Sequence, residues 1–207
     1  MKSYSGVRRW LEPLLLFLAV IAGLALIQFS TPDLPDNDGF YHIKLAEIMR
    51  HEGLTPGFRW LPLTILSEEQ FYDHHFLYHV ALIPFTFGDL RLGAKWSAVF
   101  FPAFSFMAVY MLFRRQRIPF AWGWSSALLV VSEAFLYRMS ITRAQSLSLG
   151  ILALGLMWLL EGRHWQLAAL AFLYVWSYNA FPLLLAFGVI FSAATGLLGG
   201  RLRWKPM

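Results

Sequence analysis

Apolar and polar positions alternate along this chain in long blocks rather than in short periods. The first apolar block, residues 11–29, follows Lys2, Arg8 and Arg9 and is long enough to cross a hydrocarbon core of roughly 30 Å. No small-residue cleavage pattern closes it, since Gln28-Phe29-Ser30-Thr31-Pro32 follows, so the block predicts an uncleaved signal anchor rather than a signal peptide. The chain then stays polar until Asp73. After that, apolar blocks at 94–113, 119–136 and 146–160 end at Arg114-Arg115-Gln116-Arg117, Tyr137-Arg138 and Glu161-Gly162-Arg163-His164. The block from 165 to 198 holds two short helices, 165–178 and 182–198, broken around Ser177-Tyr178-Asn179-Ala180-Phe181-Pro182. The pattern predicts an all-α, polytopic transmembrane bundle of about six spans in a single membrane domain.

The loop of residues 31–93 between the first two spans carries two helical signals of its own. Residues 38–51 place Phe40, Tyr41, Ile43, Leu45, Ile48 and Met49 against Lys44, Glu47 and Arg50, an amphipathic pattern, and Gly53 stands as its stop. Residues 76–87, about a dozen and broken by Pro84, are too short to cross and predict a second helix lying on the membrane surface. Counting that segment as a span would put the Arg114 cluster on the side of the acidic loop, against the positive-inside rule. Left out, it gives six spans with both ends in the cytoplasm and the loop outside.

Composition fixes the class and removes alternatives. The chain is 58% hydrophobic and 14% charged, with a mean hydropathy of +0.54. Its pI near 9.7 does not point to nucleic acid, because the basic residues sit in small clusters between apolar blocks and mark topology. Cysteine is absent, so no disulfide framework, thiolate metal site or cysteine nucleophile exists. A Walker motif and a serine nucleophile elbow are missing, and no internal repeat or run of intramembrane acids suggests a secondary transporter.

Nine of the twelve acids lie in the first loop: Asp33, Asp36, Asp38, Glu47, Glu52, Glu68, Glu69, Asp73 and Asp89. Ionisable groups at a bilayer surface are functional candidates by default. In Pro35-Asp36-Asn37-Asp38-Gly39-Phe40-Tyr41-His42 the D-x-D spacing lets Asp36 and Asp38 meet one hard cation such as Mg²⁺ or Mn²⁺. A solvated loop, or a cap on the amphipathic helix, accounts for the same spacing. A second cluster, Asp73-His74-His75-Phe76-Leu77-Tyr78-His79, opens the surface helix, with His75 and His79 four apart on one face. Phe76 stands where an H-E-x-x-H zinc hydrolase needs glutamate, which sets that chemistry aside. Asp73, His74 and His75 are the better placed to reach an anionic or hydroxylic ligand, and His79 reads equally as structural, a polar tip or partner of nearby acids, and as functional.

A cytoplasmic N-terminus, one span, a large outer loop with an acidic motif, two surface helices and then further spans resemble the polyprenyl-phosphate-dependent glycosyltransferases of the GT-C class. Asn37-Asp38-Gly39-Phe40 is similar to the Asn-Asp-Gly-Tyr of bacterial oligosaccharyltransferases. Asp73-His74-His75-Phe76-Leu77-Tyr78-His79 through Phe87-Gly88-Asp89 to Leu92-Gly93-Ala94-Lys95 resembles the His/Lys-Pro-Pro-Leu, Phe-Gly and Ala-Arg pattern of protein O-mannosyltransferase and aminoarabinose-transferase relatives, with Asp73-His74-His75 departing from His/Lys-Pro-Pro. The resemblance implies transfer of a sugar from a polyprenyl-phosphate donor to an extracytoplasmic acceptor. It gives Asp38, with Asp36 beside it, the role of metal ligand or activator of the acceptor. Such enzymes carry more spans and often a further outer domain, so the chain is expected to correspond to an amino-terminal part, the rest of the site lying on further chain or on a partner.

The leaving phosphate needs positive charge. Arg138 and Arg143 bracket Met139-Ser140-Ile141-Thr142 in an outer loop, and guanidinium forks suit phosphate, although snorkelling beside Glu133 accounts for them too. His42 joins them as a candidate substrate ligand, whereas Tyr178 and Asn179 read as an aromatic-belt residue and a helix-breaking turn. The competing class is a non-catalytic membrane subunit or transporter whose outer loop docks a partner.

Overall fold

The computed structural model describes residues 4–57 and 72–197, with backbone alone for 4–9, so Glu68, Glu69, the N-terminal basic side chains and the 201–205 basic tail lie outside the described residues. Among the described residues every regular element is a helix, and no strand occurs. The helices are α1 (Tyr4–Gln28), α2 (Asp38–Glu52), α3 (Phe76–Leu82), α4 (Leu90–Arg115), α5 (Ala121–Ala127), α6 (Glu133–Met139), α7 (Ala144–Leu160), α8 (His164–Ser177) and α9 (Pro182–Leu197), with short 3₁₀ turns after α3 and α5. Two are long and apolar enough to cross a membrane, over Trp10–Gln28 and Leu90–Arg115, or three if α6 and α7, bent by 99°, count as one span.

The predicted span over 119–136 is not one helix. Phe120 turns left-handed at φ 56°, α5 lasts seven residues, and the Ser132 side chain accepts from the Phe135 N–H at 3.1 Å to start α6 afresh. A serine oxygen in reach of that N–H offers the backbone a cap, which ends one helix and begins another. Helices α8 and α9 match the two predicted segments at 165–178 and 182–198, but at 14 and 16 residues each is shorter than a full crossing and neither counts as a span by length.

Helix α4 is the axis of the fold, packed between α1 and α7. Leu16, Val20 and Leu24 of α1 close on Val99, Ala103, Phe106 and Tyr110. On its other side α4 meets α7 through small residues: the Ser105 hydroxyl donates to the Ser146 carbonyl, and a Cβ on Gly150 would fall 2.7 Å from Ser105 Oγ. Lipid gives helices no hydrophobic reason to associate, so close backbone approach and interhelical hydrogen bonds carry the contact.

Polar contacts sort the helix ends into two groups. At one end Tyr110 donates to Glu12 at 2.8 Å, Arg114 donates to the Tyr110 hydroxyl at 3.0 Å, and Glu161 pairs with Arg163 at 2.7 Å and Arg115 at 3.7 Å. At the other end Lys95 of α4, 1% exposed, donates to the carbonyls of Gln28, at 2.8 Å, and Thr31. An ammonium on these orphan carbonyls caps α1 as a C-terminal lysine does. There too Gln28 donates to the Ser140 carbonyl and Thr142 to the Ala94 carbonyl at 3.0 Å. The described basic clusters and the loop acids therefore occupy opposite ends of the bundle.

Candidate functional site

Helix α2 lies across the Lys95 end, with Ile43 and Ala46 packed in one core with Tyr78, Leu82, Ala94 and Ala144. Of its predicted apolar face, Ile43, Leu45 and Met49 are buried, while Phe40 and Tyr41 are exposed. Gly53 ends the helix at φ 103°, its N–H donating to the Met49 carbonyl. The carboxylates at the other end of α2 do not cap it. Asn37 holds the cap position without a side-chain hydrogen bond, and both acids turn to Arg143, the residue preceding α7.

Arg143 Nε donates to Asp36 Oδ2 at 2.6 Å, and its Nη2 pairs with Asp38 Oδ2 at 2.6 Å. The two acids differ sharply: the Asp36 side chain is 7% exposed and that of Asp38 54%. Burial works against the Arg143 charge, but the hydrogen bond to Asp36 and the charges of Asp36 and Asp38 outweigh it and raise its pKa above the usual arginine value. Asp36 Oδ1 and the Tyr78 hydroxyl are enclosed without a hydrogen-bond partner among the described residues. Burial, then the charge of Asp36, push the Tyr78 phenol well above its ordinary pKa. Leaving such an atom unpaired costs about 1–3 kcal/mol, so each calls for a partner beyond the side chains around it. Gly39 lets Asp36 in, because a Cβ there would stand 3.2 Å from Asp36 Oδ1.

One turn along α2 from Asp38, on the same face, stands His42. Its Nδ1 lies 2.7 Å from Nε2 of His79, whose Nδ1 lies 2.8 Å from Asp73 Oδ2. Asp73 Oδ1 also accepts from the His75 N–H at 3.0 Å, which sets the turn into α3. His42 and His79 are buried, and burial, followed by the charges of His79, His75, Arg143 and His74, pushes His42 down to about 2. His75 is pushed down to about 4, chiefly by burial. Its ring stacks on Tyr178 at 5.5 Å, while His74 lies 4.3 Å from it on the exposed side.

Most of the predicted site residues thus converge at one end: Asp36, Asp38 and Arg143 as one cluster, Asp73, His75 and His42 as a neighbouring one, with His74 at its rim. Arg138 does not join them. It is exposed on α6 and makes no ion pair with Glu133 or any other described residue. Two residues outside the predicted site set belong here as well: His79, fully buried between His42 and Asp73, and Tyr178 under His75. For His79 the signal was present, in its position four residues after His75 and six after Asp73. For Tyr178 there was none beyond its place at a helix break.

The positive charge between the two acids is a guanidinium. Among the described residues no group of three His, Asp or Glu side chains is placed to hold a metal, and two carboxylates already committed to Arg143 do not by themselves fit Mg²⁺ or Mn²⁺. No protein-family profile, curated protein or solved structure matches the chain.

Proposed function

We propose that this chain is a membrane glycosyltransferase that moves a sugar from a polyprenyl-phosphate carrier to an acceptor outside the cytoplasm, with inversion at the anomeric carbon. The observation that carries this reading is the pair Asp36 and Asp38, locked by Arg143 beside the histidines at the bundle end opposite the basic clusters. In this reading α5 to α9 complete a six-span bundle with both ends cytoplasmic, in a bacterial or archaeal plasma membrane, and the acids face outward.

The chemistry divides among these side chains. Asp38, with one oxygen on Arg143 and the residue open to solvent, receives the acceptor's hydroxyl as a hydrogen bond and points its oxygen at the sugar. Arg143 fixes both carboxylates in one geometry, and its guanidinium, with exposed His74 at the rim, meets the leaving phosphate as negative charge gathers there. Asp36 is a positioning residue, holding Arg143 from the buried side. Asp73 and His75 line the approach from α3, beside a cavity of about 380 Å³ bounded by Leu45, Met49, Tyr72, Asp73, Phe76 and Trp176.

The test is release of undecaprenyl phosphate from labelled undecaprenyl-phosphate-linked hexoses and amino sugars by the purified full chain in liposomes. Wild type is expected to turn donor over, and Asp38→Ala to lower the rate about 100-fold or more, the scale on which one aligned polar group acts. No turnover by wild type, or equal turnover by Asp38→Ala and Asp36→Ala, would refute the assignment; loss of a captured partner on the same substitutions would point to a docking loop instead.

A further inference from the structure

Two hydrogen bonds join Asp73, His79 and His42 in one continuous chain. It runs from a partly exposed carboxylate, through a ring with no exposure at all, to a ring beside the Arg143 cluster. A carboxylate can only accept, so Nδ1 of His79 donates to Asp73. With one proton on each ring the order is then forced: His79 Nε2 is a lone pair, His42 Nδ1 donates to it, and His42 Nε2 carries a free lone pair. That Nε2 has no hydrogen-bond partner among the described residues, and it is not one of the fully enclosed unpaired atoms. It sits one helical turn from Asp38, the residue that receives the acceptor in the proposed reaction.

We propose that His42 is the general base of the transfer, with His79 and Asp73 as the positioning residues that fix its tautomer and carry its proton away. The inference rests on the glycosyl-transfer reading above. The acceptor's O–H bond breaks and its oxygen bonds the anomeric carbon. The bond from that carbon to the phosphate oxygen breaks, and its electron pair leaves on the phosphate. The acceptor's proton goes to His42 Nε2, the Nδ1 proton of His42 moves to His79 Nε2, and the Nδ1 proton of His79 moves to Asp73. The phosphate gains one negative charge and Asp73 loses one, so charge balances. A proton placed on Asp38 would instead compete with Arg143 for the same carboxylate.

Several titratable or charged groups face His42. Tyr41 lies on its own helix, His74, His75, Tyr78 and His79 come from α3 and the turn before it, and Arg143 precedes α7; behind these stand Asp73 on His79 and Asp36 and Asp38 on Arg143. None but His79 is hydrogen-bonded to the ring in the structure.

Two readouts on the full chain test this, the first in detergent and the second in liposomes. With ¹⁵N-histidine labelling, His42 is expected to be neutral and protonated on Nδ1 from pH 5 to 8; the Nε2–H tautomer would overturn the relay even if no variant folds. In the liposome release assay, His79→Gln and Asp73→Asn are expected to lower kcat about 100-fold with KM within about twofold of wild type and to alter the pH profile. Turnover by wild type with kcat and pH profile unchanged in both variants would overturn the relay and leave the transferase reading standing. No turnover by wild type would overturn that reading and the base role together, while the tautomer still reports whether the hydrogen-bonded order is right.

Discussion

Arg143 is the residue on which the site turns, because one guanidinium holds two acids that arrive more than a hundred positions earlier in the chain. Replacing it with methionine strands Asp36 as a buried, unpaired carboxylate. The expected loss of stability is about 3 kcal/mol, as when one member of a buried ion pair is removed, read as a lowered unfolding midpoint in detergent. Lysine restores the charge but not the fork, so Arg143→Lys is expected to recover folding better than turnover. Acid acts on the neighbouring ring. The pKa of His42 is depressed in the folded protein to about 2 and that of His75 to about 4, both below the usual histidine value near 6.5. Below that value the unfolded chain binds more protons than the folded one. Stability from these rings is therefore complete above about pH 6.5 and is lost as pH falls from there toward 4 and below. His42→Gln is expected to flatten that limb in melts at pH 7 and pH 4.5; an equally steep loss would show that other groups govern it. Much at this scale was legible: an arginine set apart from the basic clusters at the span ends marked itself out, as did the D-x-D spacing. The link between them was not, since nothing local in sequence says which charge a distant loop meets.

Helices α1, α2 and α4 follow the apolar pattern closely, and the block at 76–87 forms a short helix, α3, followed by a 3₁₀ turn over Ile83–Thr86. The block at 119–136 did not hold as one helix, because hydropathy counts side chains and is blind to a serine cap and a left-handed turn. Close approach is the other property that hydropathy misses. A Cβ on Gly93 would lie 1.8 Å from the Phe85 carbonyl oxygen, so only glycine lets the first turn of α4 pack under the turn after α3. Gly93→Ala is expected to destabilise the chain by about 3 kcal/mol or more, since backbone must yield, whereas Gly188→Ala, with nothing within 4 Å, changes little. Fluorescence-detected size exclusion of heated samples separates the two. Equal survival would mean that α3 and α4 are not packed this tightly.

At the scale of the whole molecule the decisive feature is polarity along the bundle axis. Composition and the arginine clusters gave the membrane class and predicted that the acidic loop and the basic ends part company; the contacts of Lys95, Gln28 and Thr142 at one end, and of Glu12, Tyr110 and Glu161 at the other, give that separation a physical form. How α5 to α9 sit in a membrane was less legible, because each of those helices is too short to announce a crossing by itself. The absence of cysteine makes the central placement directly measurable. Single Asp33→Cys and Arg117→Cys variants, both at exposed positions, would be treated in intact cells with a membrane-impermeant maleimide. Labelling of the Asp33→Cys chain without permeabilisation, and of the Arg117→Cys chain only after it, is the expected result; the reverse pattern, or labelling of both from outside, would contradict an outward-facing site.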